Sequence, residues 1–287
     1  MLLGLRHCSA FGDYAMIFSA FASVARKLIP PRFRPIGYLE NLVRARTDGR
    51  IWSGPFSGMR WTLEGRARSQ PRTTQNSPLH NARIHIPKLL GIYERELNPY
   101  IEQACALDFP LIVDIGAAEG YYAVGMAFRN PQAGVIAFEM QATERSALAE
   151  AARLNAVTDR LEIRGKCEPE DLELVLVDTP RPFVICDAEG YEAMLIDPGA
   201  VPSLRRASIL VELHEFVEKG ISEKIRERFV TTHKITHIWQ QERTLADFPF
   251  KDFYMQLLPK SYLRWAVSES RPERMSWFWM EPIHATA

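Results

Sequence analysis

Residues 111 to 122 read Leu111-Ile-Val-Asp-Ile-Gly-Ala-Ala-Glu-Gly-Tyr-Tyr122, and this stretch decides the fold. A short apolar run ends at Asp114 and is followed by two spaced glycines and a helical segment. Apolar runs of this length are typical of buried parallel strands. Gly116 and Gly120 allow backbone angles and close approaches that a side chain blocks, so the main chain can pass against a ligand. The stretch therefore predicts a strand, a ligand-binding turn and a helix.

The spacing of this turn is D-x-G-x-x-x-G. It differs from the G-x-G-x-x-G turn that cradles a pyrophosphate, which counts against a nicotinamide-dependent oxidoreductase. S-adenosylmethionine contains a nucleoside but no pyrophosphate and fits this difference. Its sulfonium and amino-acid end would lie over the glycines, with Asp114 close to the positive charge. The alternative is a structural turn that binds nothing.

A second predicted strand, residues 133–139, ends in Glu139, whose carboxylate can accept hydrogen bonds from both hydroxyls of a ribose. A predicted helix over 143–155 and a third strand over 161–164 follow, which gives the β-α-β-α-β order of a doubly wound sheet. Such sheets bind ligands beyond the carboxyl ends of their strands, where Asp114 and Glu139 both fall.

Another acidic group follows the later strands. Asp187 comes directly after the apolar run 182–186, and the next predicted strand, 207–213, leads to Glu212 and His214 on one face by period-two alternation. If these strands are neighbours, the three side chains converge at the ligand-binding edge. His214 is the candidate general base because its ordinary pKa is close to neutrality, with Asp187 as the orienting or second acid and Glu212 as a further catalytic candidate beside them.

Two other interpretations of this acidic group stay open. Asp187, Glu189, Glu212 and His214 form an oxygen-rich set with one imidazole, which suits Mg²⁺ or Mn²⁺. Alternatively, Glu189 and Glu192 cap the first turn of the following helix, where free backbone N–H groups favour carboxylates.

Together these motifs resemble the FkbM family of S-adenosylmethionine-dependent methyltransferases. The resemblance covers residues 86–243 and rests on D-I-G-A-A-E-G-Y-Y at 114–122, A-F-E at 137–139, Asn155, C-D-A-E-G-Y-E at 186–192 and I-L-V-E-L-H at 209–214. Ala188 departs mildly from the family's D-V-E-G-x-E turn. The resemblance implies an α/β fold, the doubly wound, mostly parallel seven-stranded sheet of class I methyltransferases, which is Rossmann-like and has a reversed final strand.

The resemblance also implies roles for individual residues. The methionine portion of the cofactor would be held by the glycine turn, the ribose by Glu139, and the adenine by Met140 with Cys167 or Glu168. The cofactor-binding residues expected in the turn and beside it are Asp114, Gly116, Ala117, Glu119, Gly120, Tyr122 and Asp187. The expected activity is methyl transfer to a hydroxyl of a small molecule or sugar. An N-methyltransferase and a catalytically inactive binding protein are the alternatives.

Composition sets broader limits. The 287 residues carry 35 basic and 35 acidic side chains, so the formal net charge is zero and a broad nucleic-acid-binding surface is not expected. The four cysteines are widely separated, which favours a reducing compartment and predicts a cytoplasmic protein. No stretch approaches the roughly 18 apolar residues of a membrane span. A homo-oligomer stays open.

The predicted organisation has two parts. Residues 1–85 form an N-terminal extension with a helical segment, a short hairpin over 51–63 and a polar linker. Residues 86–287 form the Rossmann-like domain, which begins with a helix over 86–106 at helical apolar spacing. An aromatic insertion, 245–274, precedes the last strand. It is expected either to cover the substrate as a lid or to pack against the N-terminal region.

Overall fold

The computed structural model describes residues 35–61, 85–251, 258–269, 271 and 273–283. Its centre is a seven-stranded sheet in the order β3-β2-β1-β4-β5-β7-β6. The strands are β1 Leu111–Ile115, β2 Gly134–Phe138, β3 Leu161–Arg164, β4 Pro182–Cys186, β5 Ser208–Leu213, β6 His233–Trp239 and β7 Ser276–Pro282. The first five pair in parallel, and β7 runs antiparallel between β5 and β6. The predicted doubly wound, mostly parallel sheet with a reversed final strand is confirmed.

Helices cover both faces of the sheet. They are α1 Pro35–Thr47, α2 Asn98–Ala106, α3 Tyr121–Arg129, α4 Ala142–Leu154, α5 Pro169–Leu176, α6 Glu192–Leu195, α7 Ile221–Phe229 and α8 Lys260–Val267, with shorter 3₁₀ turns at Arg95–Leu97, Pro202–Arg206 and Leu245–Asp247. Among the described residues, no helix is long and apolar enough to cross a membrane.

The core has two layers because successive side chains of a strand point to opposite faces. Ile112, Phe183 and Leu210 belong to the apolar cluster on one face, whereas Val113 and Val184 belong to the cluster on the other. Burial on both faces explains why β4 and β5 are continuous apolar runs rather than alternating ones.

The parallel registers bring the strand ends to one edge. Ile115 pairs with Phe138 on one side and with Cys186 on the other, and Cys186 pairs with Val211. The residues that follow these positions therefore meet at the carboxyl edge of the sheet, as expected.

The predicted helix over 86–106 is wrong as a single element. Residues 85–90 are helical, but the helix stops at Gly91 and a second helix, α2, begins at Asn98. Gly91 has a φ of 72°, and a Cβ there would lie 1.9 Å from the carbonyl oxygen of Ser53. The chain turns at this point because the N-terminal segment packs directly against it.

The N-terminal extension shares the core of the sheet. Residues 50 and 60 form an antiparallel bridge, which agrees with the predicted hairpin as far as its described part reaches. The ring of Phe56 lies over Gly125 of α3, where a Cβ would approach ring atoms to 2.6 Å. The predicted polar linker and residues 62–63 of the hairpin lie outside the described residues. The described part of residues 1–85 is thus continuous with the sheet domain in its packing.

Candidate active site

The glycine turn after β1 is shaped by contacts within the protein. Gly116 has a φ of 80°, and a Cβ there would lie 1.7 Å from the carbonyl oxygen of Asp187. Gly120 has a φ of 92°, and a Cβ there would lie 2.9 Å from the side chain of Leu148. Glycine is therefore required at position 116 for the turns after β1 and β4 to be in contact. This requirement holds with or without a ligand bound beside the turn.

Glu139 lies at the rim of the same turn. Its carboxylate accepts the backbone N–H of Ala118 at 2.9 Å and that of Gln141 at 2.7 Å. Ala118 has a φ of 44°, in the left-handed region, and this conformation aims its N–H at the carboxylate. The two amides fix the orientation of Glu139 and leave further lone pairs for other donors.

A cavity of about 370 Å³, the outer cavity, opens beside Glu139. Its apolar walls are Ile115, Phe138, Met140, Cys167, Tyr191 and Leu195. Met140 is 70% exposed and lies at the entrance. Burial raises the pKa of the Cys167 thiol to about 12, so Cys167 contributes a neutral, apolar surface. Its polar lining residues include Glu139, Gln141, Glu144, Lys166, Asp187 and Glu189. An apolar wall with carboxylates at its rim suits a flat heterocycle with a sugar.

Glu168 has other partners. The hydroxyl of Tyr191 donates to its carboxylate at 2.7 Å, and Lys166 pairs with it at 2.6 Å. Its backbone N–H donates to Asp171 in the first turn of α5. Of the two residues expected near adenine, Cys167 lines the outer cavity, whereas Glu168 is not among its lining residues; contact with adenine stays a prediction.

A second cavity of about 50 Å³, the inner cavity, lies deeper along the same edge. Gly116, Ala118 and Asp187 line both cavities, so the two are adjacent. The inner cavity is lined by Lys88, Tyr93, Glu94, Asp114, Ala117, Tyr121, Tyr122, Glu212 and Trp277, among others. Glu119 forms an ion pair with Lys88 at 2.6 Å, and its contact with the cofactor stays a prediction.

Asp114 is the most unusual group in the inner cavity. It is 3% exposed, and its Oδ2 has no hydrogen-bond partner among the described residues. Burial and the nearby Asp187 carboxylate raise its pKa to about 7. A buried carboxylate with an open oxygen is costly unless a ligand completes its hydrogen bonding.

Asp187, Glu212 and His214 converge as the strand order predicts. One ligand atom from each lies within 4.8 Å of the others. His214 Nε2 is 3.6 Å from Asp187 and 3.5 Å from Glu189. The partner of His214 Nδ1 is Glu192, at 2.8 Å. Of the two roles expected for Asp187, Glu192 occupies the orienting position, and Asp187 faces the other ring nitrogen, where the role of second acid stays a prediction.

Glu192 combines two roles. Its fully buried carboxylate accepts the N–H groups of Ala188 and Gly190, and it also binds His214. The capping interpretation predicted that Glu192 binds backbone N–H groups in the first turn of the following helix. Glu192 does bind backbone N–H groups, but they belong to the turn before α6. Burial disfavours the imidazolium, yet the Glu192 hydrogen bond and the Asp187 carboxylate outweigh it, and the pKa of His214 is raised.

Glu212 forms a mixed cluster with an unpredicted arginine. Arg271, from the insertion, donates to Glu212 at 2.7 Å and also bonds Glu94. The Asp187 carboxylate lies within 4.8 Å of Glu212, so the two negative charges disfavour each other. Burial raises the pKa of Asp187 to about 6 and that of Glu212 well above its usual range. Any cation bound by Glu212 must therefore share it with a guanidinium.

Sequence reasoning missed Lys88, Glu94 and Arg271. Lys88 and Glu94 line the inner cavity from the broken helix before β1, and Arg271, from the insertion before β7, binds Glu94 and Glu212 in the cavity wall. Glu94 has a φ of 46°, which a non-glycine residue rarely adopts, and its carboxylate accepts the Tyr122 hydroxyl at 2.6 Å. A buried acid in this unusual backbone conformation indicates a functional site. The sequence contains no pattern that predicts such a conformation.

The strand order, the reversed seventh strand and the position of the site define a class I methyltransferase fold. No protein-family model matches the chain, and no curated protein matches it. Among solved structures, the chain is similar to the O-methyltransferase TomG from Streptomyces achromogenes, involved in tomaymycin synthesis and bound to SAM, with 12% identity, a TM-score of 0.45, and 75% of this chain and 93% of that chain covered.

It is also similar to the O-methyltransferase from Bacillus cereus in complex with SAH. Identity is 10%, the TM-score is 0.43, and 75% of this chain and 94% of that chain are covered. The assignment of the fold rests on the strand order and registers of this chain itself.

Proposed function

We propose that the protein is an S-adenosylmethionine-dependent methyltransferase. The observation that carries the proposal is the pair of adjacent cavities. The outer one combines Glu139 with apolar walls, which suits adenosine, and the inner one holds the open oxygen of Asp114, which suits an ammonium group. The two meet at Gly116 and Asp187, where a sulfonium between the two halves would lie.

The cofactor would supply an electrophilic methyl group and leave as S-adenosylhomocysteine. Glu139 would accept hydrogen bonds from ribose hydroxyls, and Asp114 would accept them from the α-ammonium. Met140 and Cys167 would cover the adenine, while the remaining turn residues Ala117, Gly120 and Tyr122 shape the wall. Most of the acceleration would come from holding the acceptor in line with the sulfonium in a site that excludes water.

His214 is proposed as the general base for a hydroxyl acceptor. Glu192 fixes Nδ1 as the protonated nitrogen, so Nε2 is free to take the acceptor proton as the new oxygen–carbon bond forms. Asp187 and Glu212, which lie beside Nε2 of His214 and beside each other, would orient the hydroxyl. The acceptor is proposed to be a small molecule or sugar; an amine acceptor would need the same geometry, so the acceptor panel must include amines.

A divalent cation is the alternative way to activate the acceptor. Asp187, Glu212 and His214 offer two carboxylates and an imidazole, a ligand set that suits Mg²⁺ or Mn²⁺. The Arg271–Glu212 ion pair counts against it because the guanidinium already neutralises one ligand. If a cation is used, dialysis against EDTA abolishes methyl transfer and Mn²⁺ restores it; if His214 acts alone, EDTA has no effect.

Calorimetric titration of the full chain with S-adenosylmethionine and S-adenosylhomocysteine tests the proposed function. We expect both to bind, and Glu139→Ala to weaken binding at least tenfold through lost ribose contacts. Glu162→Ala, which removes an exposed acid of β3 paired with Arg164, is the matched control and should leave affinity unchanged. Absence of binding by the wild-type chain would refute the proposal.

Transfer of a labelled methyl group to a panel of phenols, sugars and amines then separates an enzyme from a binding protein. A non-catalytic relative would bind the cofactor and transfer nothing to the panel. Membership of the FkbM family and a cytoplasmic location remain predictions.

A further inference from the structure

Two apolar side chains lie exposed directly after β5, within three residues of His214. Phe216 is 45% exposed and Val217 is 52% exposed, although the strand that leads to them is buried throughout. The ring of Phe216 contacts the imidazole of His214 edge-to-face, with 5.6 Å between the ring centroids. An exposed aromatic ring therefore lies beside the proposed general base.

The turn that carries this apolar pair is held by hydrogen bonds. The N–H of Val217 donates to the carbonyl oxygen of His214 at 2.9 Å. The carboxylate of Glu215 accepts the N–H groups of Gly220 and Ser222 at 2.8 and 3.0 Å. The exposed side chains thus start from a fixed backbone, which lowers the entropy cost of binding a ligand against them.

The apolar pair adjoins the turn after β4. A Cβ at Gly190 would lie 2.4 Å from Cγ1 of Val217, so the two turns pack closely. Gly190 follows Glu189, whose carboxylate lies 3.5 Å from Nε2 of His214 and whose side chain is 80% exposed. Val217 and Nε2 therefore border the same turn, on a side of the imidazole that reaches solvent.

The charges around His214 restrict which acceptor fits. Asp187 and Glu189 face Nε2, and Glu192 binds Nδ1. Carboxylates in these positions repel an acceptor that carries its own carboxylate or phosphate. The exposed aromatic ring favours a flat apolar body, since aromatic rings attract one another edge-to-face or offset-stacked. A phenol hydroxyl, with an ordinary pKa of about 10, also releases its proton to an imidazole more readily than an alkyl alcohol does.

We propose that the acceptor is an uncharged phenol whose ring packs on Phe216 and Val217 while its hydroxyl reaches Nε2 of His214. The inference rests on the proposed function and names its acceptor class. The phenol oxygen attacks the methyl carbon, the carbon–sulfur bond breaks as the oxygen–carbon bond forms, the phenolic proton passes to Nε2, and the sulfonium becomes a thioether. Phe216 is thus a positioning residue that selects aromatic acceptors.

Fluorine NMR measures acceptor binding without turnover. The full chain, saturated with S-adenosylhomocysteine, is titrated with 4-fluorophenol, with 4-fluorocyclohexanol, which has no aromatic ring, and with 3-fluoro-4-hydroxybenzoate, which adds a negative charge. We expect 4-fluorophenol to bind more tightly than the other two by at least about threefold, the smaller effect of one aromatic contact.

Variants of Phe216 identify the contact. Phe216→Ala should weaken binding of 4-fluorophenol by about three- to tenfold and leave the affinity for S-adenosylhomocysteine unchanged. Phe216→Trp keeps an aromatic ring and should retain the binding. Phe128→Ala, which removes another exposed phenylalanine, on α3, is the matched control and should leave both affinities unchanged. In methyl transfer to a phenol, Phe216→Ala should raise KM and leave kcat nearly unchanged.

The outcomes separate this proposal from the proposed function. The phenol assignment is overturned if the chain binds S-adenosylhomocysteine but not 4-fluorophenol, if it prefers the cyclohexanol or the benzoate, or if Phe216→Ala binds 4-fluorophenol like the wild type. Each of these results leaves the methyltransferase proposal intact. If the wild type does not bind S-adenosylhomocysteine, the proposed function itself fails.

Discussion

At the scale of single residues, Glu192 decides what His214 can do. One buried carboxylate holds the turn after β4 through the N–H groups of Ala188 and Gly190 and binds Nδ1 of the imidazole. The tautomer and the ring orientation are therefore set by the same group that shapes the turn. Nε2 is left facing Asp187, which lines both cavities, and Glu189, which lines the outer one.

Replacement of Glu192 by Gln is expected to lower the pKa of His214, because the negative charge that stabilises the imidazolium is removed. In the wild type the pKa is raised above its ordinary value of about 6.5, so the base becomes available only as pH rises through that higher value. The acceptor kcat/KM at saturating cofactor should rise with pH in the wild type and shift to lower pH in Glu192→Gln. His214→Gln should lower the kcat/KM for the acceptor by about 10²–10⁴-fold because the general base is removed.

NMR titration of the His214 ring checks the pKa without any turnover. His237→Gln on β6, a histidine that stacks on Trp239, is the control and should leave the profile in place. An unchanged His214 pKa in Glu192→Gln would show that the negative charge of Glu192 does not stabilise the imidazolium of His214.

At the scale of elements, the N-terminal segment is part of the site's supporting wall. Phe56 lies on Gly125 of α3, and its ring contacts Tyr121 and Tyr122 edge-to-face at 5.4 and 6.0 Å. Both tyrosines line the inner cavity. Helix α8 of the insertion packs in turn on α1, and Arg271 follows α8 into the site. Of the two expectations for the insertion, its α8 part packs on the N-terminal region, and a lid over the substrate stays a prediction.

Phe56→Ala is expected to lower the free energy of unfolding by about 3–5 kcal/mol, the usual cost of a phenylalanine-sized cavity in a packed core. It should also weaken cofactor binding, because Tyr121 and Tyr122 lose a packing partner. Urea unfolding followed by circular dichroism measures the first effect and calorimetry the second. Ser57→Ala, at an exposed neighbour, is the control. A loss below about 1 kcal/mol would mean that the segment is not integral to the core.

The elements also show which features sequence could predict. Strands β1, β4 and β5 were predictable because burial on both faces leaves continuous apolar runs, and the ends of parallel strands must meet at one edge. Asp114, Glu139 and Asp187 followed from that geometry. The break at Gly91 did not, since it depends on contact with Ser53, far away in sequence.

Lys88, Glu94 and Arg271 escaped prediction for the same reason. Each enters the site through a long-range contact, Lys88 with Glu119 and Arg271 with Glu94 and Glu212. No local spacing encodes such a contact. Periodicity predicts the sheet and the residues at its strand ends, whereas residues delivered by loops and insertions need the folded chain.

At the scale of the whole molecule, charge is distributed unevenly. The chain is neutral overall, with 35 basic and 35 acidic residues, yet the active edge gathers buried acids that outnumber their cationic partners. Asp114, Glu94 and Glu212 are all buried there, with Arg271 close to two of them. Burying the open carboxylate oxygen of Asp114 costs stability, and a ligand that brings an ammonium group to it would recover that cost on binding.

Asp114 should couple the stability of the whole chain to pH and to the cofactor. Its pKa is about 7 in the folded protein against about 3.9 in the unfolded chain, so folding favours its protonated form. The contribution of Asp114 to the free energy of unfolding is therefore highest below about pH 4. It falls as pH rises from there to about 7, by an amount on the order of 4 kcal/mol at about 1.36 kcal/mol per unit.

Cofactor affinity should follow the opposite course, because the ammonium of S-adenosylmethionine binds the ionised form of Asp114. Affinity is expected to rise up to tenfold per pH unit below pH 7 and to fall again above about pH 8, where an α-amino group loses its proton. Asp114→Asn should be more stable than the wild type at pH 8 by a few kcal/mol. Its cofactor affinity should no longer rise with pH below pH 7. The surface change Asp159→Asn is the control and should show neither effect. Denaturant unfolding of the cofactor-free protein and calorimetry across pH 5–9 measure both curves. If Asp114→Asn is destabilised at pH 8, the ionised carboxylate of Asp114 stabilises the fold through a buried partner, and its role as a ligand-binding group is refuted.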